Sequence, residues 1–138
     1  MKEKRVSYFN RLATLRKKRR FSAYYWQEIS DYCNYFSHED SSVLEIGCGN
    51  GDLLANIAGS QKTGIDFSEE FINWAREKHS GSNINFVVMD ANQIELNKTY
   101  DMIILSNLIG FVDDIENVFV QVKKCCHPNT KVIVQYYN

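Results

Sequence analysis

Residues 43–51 read Val43-Leu44-Glu45-Ile46-Gly47-Cys48-Gly49-Asn50-Gly51. The apolar start of this stretch predicts a short buried strand over Ser42–Ile46, and the residues after it predict a helix over 52–58. Between them lie three glycines in five positions, and glycine adopts positive φ and lets a ligand approach the backbone closely. The loop therefore favours a nucleotide-type ligand beside the free amides of the helix start, with a tight turn that binds nothing as the alternative.

The spacing of these glycines departs from the dinucleotide pattern G-x-G-x-x-G. Gly47 and Gly49 fit its first two positions, but Asp52 stands at the third and Gly51 comes one residue early. Glu45 lies at the end of the predicted strand, where a carboxylate would repel a pyrophosphate. The loop thus disfavours a diphosphate and tolerates a ligand that carries a positive group.

Strands and helices alternate along the rest of the chain. Ser68 is the predicted N-cap of one helix, and Asp113-x-x-Glu116 resembles a capping box at the start of another. This alternation predicts an α/β domain with a mostly parallel sheet, in which ligands bind at the carboxyl ends of the strands. The predicted strands cover residues 61–66, 83–89, 100–106 and 131–137, and the predicted helices cover 69–78 and 113–126.

Two acids directly follow predicted strands. Asp66 ends the second strand, where its carboxylate can accept two hydrogen bonds from a ribose diol. An aspartate there also suits the cap of the next helix. Asp90 follows the third strand and can accept a bond from an exocyclic amine, with Met89 and Ala91 as apolar walls. Alternatively, Asp90 is a solvated acid in a loop.

Four runs of sequence, in order and at familiar spacing, resemble the motifs of class I S-adenosylmethionine-dependent methyltransferases. The resemblance covers about residues 42–138 and implies a Rossmann-like, mostly parallel sheet of order 3-2-1-4-5. It also implies S-adenosylmethionine as cofactor and an unidentified methyl acceptor as partner. The runs are residues 43–51, Gly64-Ile65-Asp66-Phe67-Ser68, Val88-Met89-Asp90-Ala91 and Tyr100-Asp101-Met102-Ile103-Ile104-Leu105-Ser106-Asn107.

The same resemblance implies where the cofactor lies. The glycine loop and its backbone would contact the methionine part, and Glu45 would order that loop or act on the methionine amine. Asp66 would hold the ribose, with the adenine between Phe67, Asp90 and the amide of Ala91. Tyr24 or Tyr25 would close over the cofactor. The implied cofactor-binding residues are Glu45, Gly47, Cys48, Gly49, Asn50, Gly51, Asp66, Phe67, Asp90, Ala91, Ser106 and Asn107.

No catalytic residue is predicted. Methyl transfer from a sulfonium needs alignment more than acid–base chemistry, and His38, His79 and His127 lie outside the expected cofactor loops. No metal is predicted either, because the four cysteines form no Cys-x-x-Cys pair. We expect reduced thiols in a cytoplasmic protein.

Two rival functions remain at this point. One is a non-catalytic module that keeps the cofactor pocket within a larger protein. The other is a nicotinamide-dependent oxidoreductase, which Asp52 and Glu45 disfavour.

The N-terminal residues 1–41 are expected to form a helical, basic extension of a cofactor-binding core over 42–138. Val6, Phe9, Leu12 and Leu15 share one predicted helix face, and Tyr25, Ile29, Tyr32 and Phe36 share another. Residues 1–20 hold nine Lys/Arg and one acid, whereas the remaining residues hold seven Lys/Arg and sixteen acids. The basic run at 16–20 is a solvated helix face, a contact for an anionic substrate or nucleic acid, or a membrane-surface contact.

Two features bear on the extent and location of the protein. No run of apolar residues is long enough for a transmembrane helix, and no secretory segment precedes residue 20. The sheet of the resembled family has seven strands, and the last predicted strand here is the fifth. We therefore expect a truncated core, with an open, apolar strand edge available for pairing.

Overall fold

The computed structural model describes residues 6–11 and 23–136. Helix α1 is described over residues 6–11. Leu12, Leu15, the basic run at 16–20 and the last two residues lie outside the described part. The later elements are α2 (Ala23–Phe36), β1 (Ser42–Ile46), α3 (Asp52–Ala55), β2 (Gln61–Asp66), α4 (Glu69–Lys78), β3 (Ile84–Val88), β4 (Tyr100–Ser106), a 3-10 turn (Ile109–Phe111), α5 (Ile115–Lys124) and β5 (Cys126–Gln135).

The described strands form one five-stranded sheet of order β3-β2-β1-β4-β5. Every neighbouring pair is parallel, which confirms the predicted topology. β1 lies at the centre, with Ile46 paired to Ile65 of β2 on one side and to Leu105 of β4 on the other. The carboxyl ends of β1, β2 and β4 therefore meet at one edge, where the chain order reverses.

Both faces of the central strands β1, β2 and β4 are largely buried, as expected for parallel strands joined by crossover helices. Leu44 and Ile46 pack on the face covered by α5, together with Val118 and Val122 of that helix. Val43 points to the opposite face, which α2, α3 and α4 cover. The alternation of side chains along β1 thus divides the core into two layers.

Two predicted boundaries are wrong near helix ends. α3 stops at Ala55, and the ammonium of Lys62 donates to the carbonyls of Leu54, Ala55 and Ile57 at that end. The N-cap of α5 is Asp114, which accepts from the Asn117 amide at 2.8 Å, so the predicted box on Asp113 lies one residue early. Ser68 is confirmed as the N-cap of α4.

The fifth strand begins earlier than predicted, at Cys126. Tyr100 pairs with Cys126, but Met102 pairs with Lys131, so β5 contains extra residues around Pro128. Thr130 ties this irregular stretch to the sheet by donating its hydroxyl hydrogen to the Tyr100 carbonyl at 2.6 Å. Because proline has no amide hydrogen to give to a ladder, it is tolerated in such a bulge on an edge strand.

Within the described ranges, β5 pairs only with β4, and Val132 and Val134 are substantially exposed on it. None of the helices described over 6–11 and 23–136 is long and apolar enough to cross a membrane.

We expect Ile104→Ala to lower the free energy of unfolding by about 2–5 kcal/mol, since the side chain is fully buried and its loss leaves a cavity. Val132→Ala, on the exposed side of the neighbouring strand, is the control and should cost less than about 1 kcal/mol. Urea unfolding followed by circular dichroism measures both. Equal losses for the two variants would contradict the two-layer core.

Candidate cofactor site

The glycine loop after β1 is folded back against the end of β2. The amides of Gly47 and Cys48 both donate to the Ile65 carbonyl, at 2.8 and 3.0 Å. Gly47, Gly49 and Gly51 have φ of 79°, 52° and 77°, a region that residues with a Cβ rarely adopt. The three glycines are therefore required by the path of the backbone itself.

The space beside each glycine differs. A Cβ at Gly51 would lie 2.5 Å from Cζ of Phe86, and one at Gly47 would lie 3.3 Å from Cδ1 of Leu108. At Gly49 the nearest atom would be Cδ1 of Phe71, at 3.9 Å. Gly51 and Gly47 are thus close to neighbouring side chains, whereas Gly49 has room beside it for a ligand.

Asp66 joins this loop to the next one. Its carboxylate accepts from the Gly49 amide at 3.0 Å through Oδ2 and from the Ser68 amide at 2.9 Å through Oδ1. The side chain is almost fully buried, and burial raises its pKa in spite of these two bonds. Each oxygen keeps a further lone pair. The carboxylate can therefore order two loops and still accept from a diol.

Glu45 is a buried acid beneath the loop. Its backbone belongs to β1, its side chain is 1% exposed, and its Oε2 has no hydrogen-bond partner among the residues described. Burial raises the pKa of Glu45 well above its ordinary value, a hydrogen bond with the Leu54 amide opposes this, and the negative charges of Asp66 and Asp52 add to it. This unpartnered oxygen in an acidic surrounding fits a cationic group.

Three further side chains lie in or against the glycine loop, those of Cys48, Asn50 and His79. Cys48 is buried, and burial raises the pKa of its thiol well above the ordinary value. Asn50 donates to the Asp52 carboxylate at 2.8 Å. His79, predicted to lie away from the cofactor loops, has its Nε2 3.1 Å from the Asn50 carbonyl oxygen. His79 therefore contacts the glycine loop, and its Nε2 also lies 3.4 Å from Oδ1 of Asp52.

The loop after β3 lies beside the end of β2. The Met89 amide donates to the Asp66 carbonyl at 2.9 Å, and Asp90 accepts from the Asn92 amide at 2.9 Å. Ala91 is buried in the core layer under α5. The structure therefore brings Asp66 and Asp90 to neighbouring strand ends, as the sequence predicts, with Phe67 directly after Asp66.

The end of β4 contributes Ser106 and Asn107. Ser106 is buried, and Asn107 has φ of 49° and donates its amide to the Gln135 carbonyl at 2.9 Å. The side-chain oxygen of Asn107 is buried with no partner in the described part of the chain. These residues lie across the glycine loop from Asp90, since β1 separates β2 from β4.

Sequence reasoning missed the contribution of helix α1. The ring of Phe9 meets Phe67 edge to face at a centroid distance of 5.2 Å and Phe111 at 5.1 Å. The Ser68 hydroxyl also donates to Asn10 at 2.5 Å. α1 therefore lies across the loops that follow β2 and β4. The only signal for it is the apolar helix face, which does not specify what it packs against.

The two tyrosines predicted to close over the site differ in the structure. Tyr24 is 73% exposed, whereas Tyr25 is half-buried and its hydroxyl accepts from the side-chain amide of Gln135. Tyr25 thus lies at the carboxyl end of β5, and Gln135 is a second residue that sequence reasoning missed. No group of His, Cys, Asp and Glu in the described segments is arranged to hold a metal ion.

The fold and this loop define a Rossmann-like α/β domain with a ligand site at the reversal of strand order. The sequence model of a methyltransferase domain matches residues 43–129. The chain belongs to that methyltransferase domain family, which confirms the family predicted from the sequence motifs.

Three relatives each match part of this chain. A probable (S)-tetrahydroprotoberberine N-methyltransferase 2 from Papaver bracteatum is 35% identical over 101 residues, which cover 67% of this chain and 27% of that protein. A malonyl-[acyl-carrier protein] O-methyltransferase from Bacillus anthracis is 28% identical over 88 residues, which cover 61% of this chain and 33% of that protein. A ubiquinone biosynthesis O-methyltransferase from Rickettsia canadensis is 26% identical over 119 residues, which cover 83% of this chain and 50% of that protein. The chain spans half or less of the length of these three relatives.

Solved structures share the fold. The PH0226 protein from Pyrococcus horikoshii OT3 superposes with a TM-score of 0.70 at 28% identity, covering 83% of this chain and 58% of that one. The glycopeptide N-methyltransferase MtfA complexed with S-adenosyl-L-methionine superposes with a TM-score of 0.69 at 17% identity, covering 79% and 53%. At 17% identity, the similarity to MtfA shows a shared fold.

We expect Gly51→Ala to destabilise the fold by about 2–4 kcal/mol, because it combines a positive φ with a contact of 2.5 Å to the Phe86 ring. Gly110→Ala is the matched control, since no atom lies within 4 Å of the added Cβ, and it should change stability by less than about 0.5 kcal/mol. Thermal unfolding measures both, and a neutral Gly51→Ala would show that the loop can relax.

We expect Glu45→Gln to raise stability at neutral pH. The pKa of Glu45 lies above its ordinary value of 4.5 in the folded chain, so the native carboxyl loses stability as pH rises from that value towards the folded pKa. The gain from the variant should vanish below the ordinary value, where both states hold the proton. Urea unfolding across pH measures it, with exposed Glu39→Gln as the control. A loss of stability at neutral pH would contradict this account.

Proposed function

We propose that this domain binds S-adenosylmethionine at the carboxyl ends of β1 to β4 and transfers its methyl group to an acceptor. The observation that carries the proposal is the buried Asp66 carboxylate, hydrogen-bonded to the Gly49 amide where the strand order reverses. Membership of the methyltransferase domain family supports the reaction, and the solved complexes of MtfA with sinefungin, S-adenosyl-L-methionine and S-adenosyl-L-homocysteine support the cofactor by likeness of fold.

The adenosine end of the cofactor is assigned to β2 and β3. Asp66 would accept from the ribose hydroxyls through its remaining lone pairs. The adenine would lie beside Phe67, with Asp90 accepting from its amine and the Ala91 amide donating to the ring. The contact of Phe9 with Phe67 supports this assignment because it closes the outer side of that position with an apolar ring.

The methionine end is assigned to the glycine loop and β4. Gly47, Cys48, Gly49, Asn50 and Gly51 would present backbone to it, with the clear space at Gly49 as the point of closest approach. The buried, unpartnered Oε2 of Glu45 supports a cationic ligand, and the cofactor carries both an ammonium and a sulfonium. Ser106 and Asn107 would border this end from β4.

When bound, the sulfonium supplies a methyl group that is already electrophilic. The protein's task is then to align the acceptor with the carbon–sulfur bond and to exclude water. The loops after β2 and β4 and the helix α1 suit this task, because the ring of Phe9 packs against Phe67 of one loop and Phe111 of the other. No residue is assigned as a base.

The main rival is a domain that binds the cofactor without turning it over. Formation of S-adenosylhomocysteine from S-adenosylmethionine would show turnover and exclude this rival. A nicotinamide oxidoreductase is disfavoured by Asp52 at the third glycine position and by the buried Glu45.

Other assignments are proposals of the same kind. The boundary between an N-terminal extension at 1–41 and the core at 42–138, the cytoplasmic location and the pairing of β5 through its open edge all rest on sequence and topology. For the basic run at 16–20 three alternatives remain, a solvated helix face, a contact for an anionic substrate or nucleic acid, and a membrane-surface contact.

We expect Asp66→Asn to weaken binding of S-adenosylhomocysteine about tenfold to a hundredfold, the cost of a lost hydrogen bond to a charged acceptor. The affinity of Asp66→Asn for methylthioadenosine, which keeps the ribose but lacks the amino acid, should fall by the same factor. Glu45→Gln should weaken the binding of S-adenosylhomocysteine and leave the binding of methylthioadenosine unchanged. Calorimetry measures all of these, and Asp40→Asn, at an exposed position before β1, is the control. An unchanged affinity of Asp66→Asn would contradict the proposed site.

A further inference from the structure

A second polar cluster lies where β4 and β5 end under helix α2. Ser106 and Gln135 are partners across the two strands. The Gln135 side-chain amide donates to the Tyr25 hydroxyl of α2, and the Gln135 backbone carbonyl accepts from the Asn107 amide at 2.9 Å. Asn107, Gln135 and Tyr25 therefore form one connected group, which we call the amide cluster.

Two oxygens of the amide cluster are buried without a donor. They are Oδ1 of Asn107 and Oε1 of Gln135, and neither has a hydrogen-bond partner among the residues that the structure describes. A buried carbonyl oxygen without a donor is costly, and native proteins rarely leave one. The arrangement is one that a ligand with N–H or O–H groups completes.

The third buried oxygen of this kind belongs to Glu45, on the same face of the sheet. Glu45 pairs with Ile104, and Ile104 pairs with Ile133, two residues before Gln135. Side chains two residues apart along a strand share a face. The two amide oxygens of Asn107 and Gln135 are acceptors, so this face calls for a ligand with N–H or O–H donors.

The amide cluster lies on the side of the glycine loop opposite the adenosine residues. Asp66 and Asp90 follow β2 and β3, whereas Asn107 and Gln135 lie at the ends of β4 and β5, with β1 between the two sets. In-line displacement requires the acceptor to approach the methyl group from the side away from the sulfur. Given the proposed function, on which this inference rests, the amide cluster lies on the acceptor's side.

We infer that the acceptor is an amine nitrogen, whose hydrogens the carbonyl oxygens of Gln135 and Asn107 accept. A neutral amine attacks with its own lone pair, so the nitrogen–carbon bond forms as the carbon–sulfur bond breaks and sulfur takes the electron pair. The methylated ammonium then gives its proton to solvent. A hydroxyl acceptor would instead need a base to take its proton.

The cluster offers no such base. Its polar groups are two amides and a tyrosine hydroxyl, which do not take up a proton near neutral pH. Two of the described histidines are engaged elsewhere, His79 at the Asn50 carbonyl and His127 at Asp101 near the start of β4. Residues 21–138 hold sixteen acids and seven Lys/Arg, and this negative balance attracts an amine in its charged form. The charged amine gives one proton to solvent and then attacks as the neutral amine.

The test compares benzylamine with benzyl alcohol, two probes of similar shape that differ in the acceptor atom. The aromatic body suits the adjacent rings of Tyr25 and Trp26. At mildly alkaline pH we expect N-methylbenzylamine by mass spectrometry, and calorimetric binding of benzylamine to the protein loaded with S-adenosylhomocysteine. Benzyl alcohol should react and bind at least about tenfold less.

Equal use of the alcohol would overturn the inference, as would a loaded protein that neither binds nor methylates benzylamine. In both cases the proposed function would stand, because binding of S-adenosylhomocysteine is measured first and separately. Failure of that binding would instead remove the proposed function, and this inference with it.

Variants test the role of Gln135 itself. Gln135→Leu should raise the dissociation constant of benzylamine about tenfold and leave that of S-adenosylhomocysteine unchanged. Gln135→Glu, which keeps an acceptor oxygen, should restore the amine affinity. Gln27→Leu is the matched control on α2, where Gln27 is exposed and donates to Asp31. An unchanged amine affinity of Gln135→Leu, or no rescue by Gln135→Glu, would overturn the role.

Discussion

The Asp66 carboxylate is the contact on which the site depends. It ends β2, and its two oxygens hold the amides of Gly49 and Ser68, which belong to two different loops. The bond to Gly49 fixes the glycine loop against the neighbouring strand, and the bond to Ser68 sets the N-cap from which α4 starts. Since burial raises the pKa of this group, its ionised form depends on these amides, and on whatever further donors a ligand brings.

The buried acids of the site work against the stability of the fold. Glu45 lies in the apolar layer under α2, α3 and α4 and shares the field of Asp66 and Asp52. A leucine there would pack with less cost, whereas a cation beside the carboxylate would relieve both its burial and the repulsion. The same reasoning applies more weakly to the amide oxygens at the ends of β4 and β5, because they are neutral.

The parts of the structure predictable from the sequence are those set by local pattern. Continuous apolar runs alternating with amphipathic segments fix the strands, and the right-handed crossover then leaves few sheet orders. Gly47, Gly49 and Gly51 mark the loop because positive φ is a property of single residues. By contrast, the choice of Asp114 over Asp113 as N-cap, the early start of β5 and the contact of Phe9 with Phe67 and Phe111 depend on packing between distant segments.

The relatives carry names for methylation at different acceptor atoms. Proteins named as N-, O- and C-methyltransferases match this chain at 26–35% identity, so a matched core is compatible with several acceptor atoms. The difference between them must then lie in groups that leave cofactor binding intact while changing what faces the methyl carbon. In this chain α1, α2 and the end of β5 have that position, since they contact the edge of the site without forming the glycine loop. A cluster joining α2 to β5, such as Tyr25 with Gln135, can therefore change with the acceptor while Asp66 and the glycines remain.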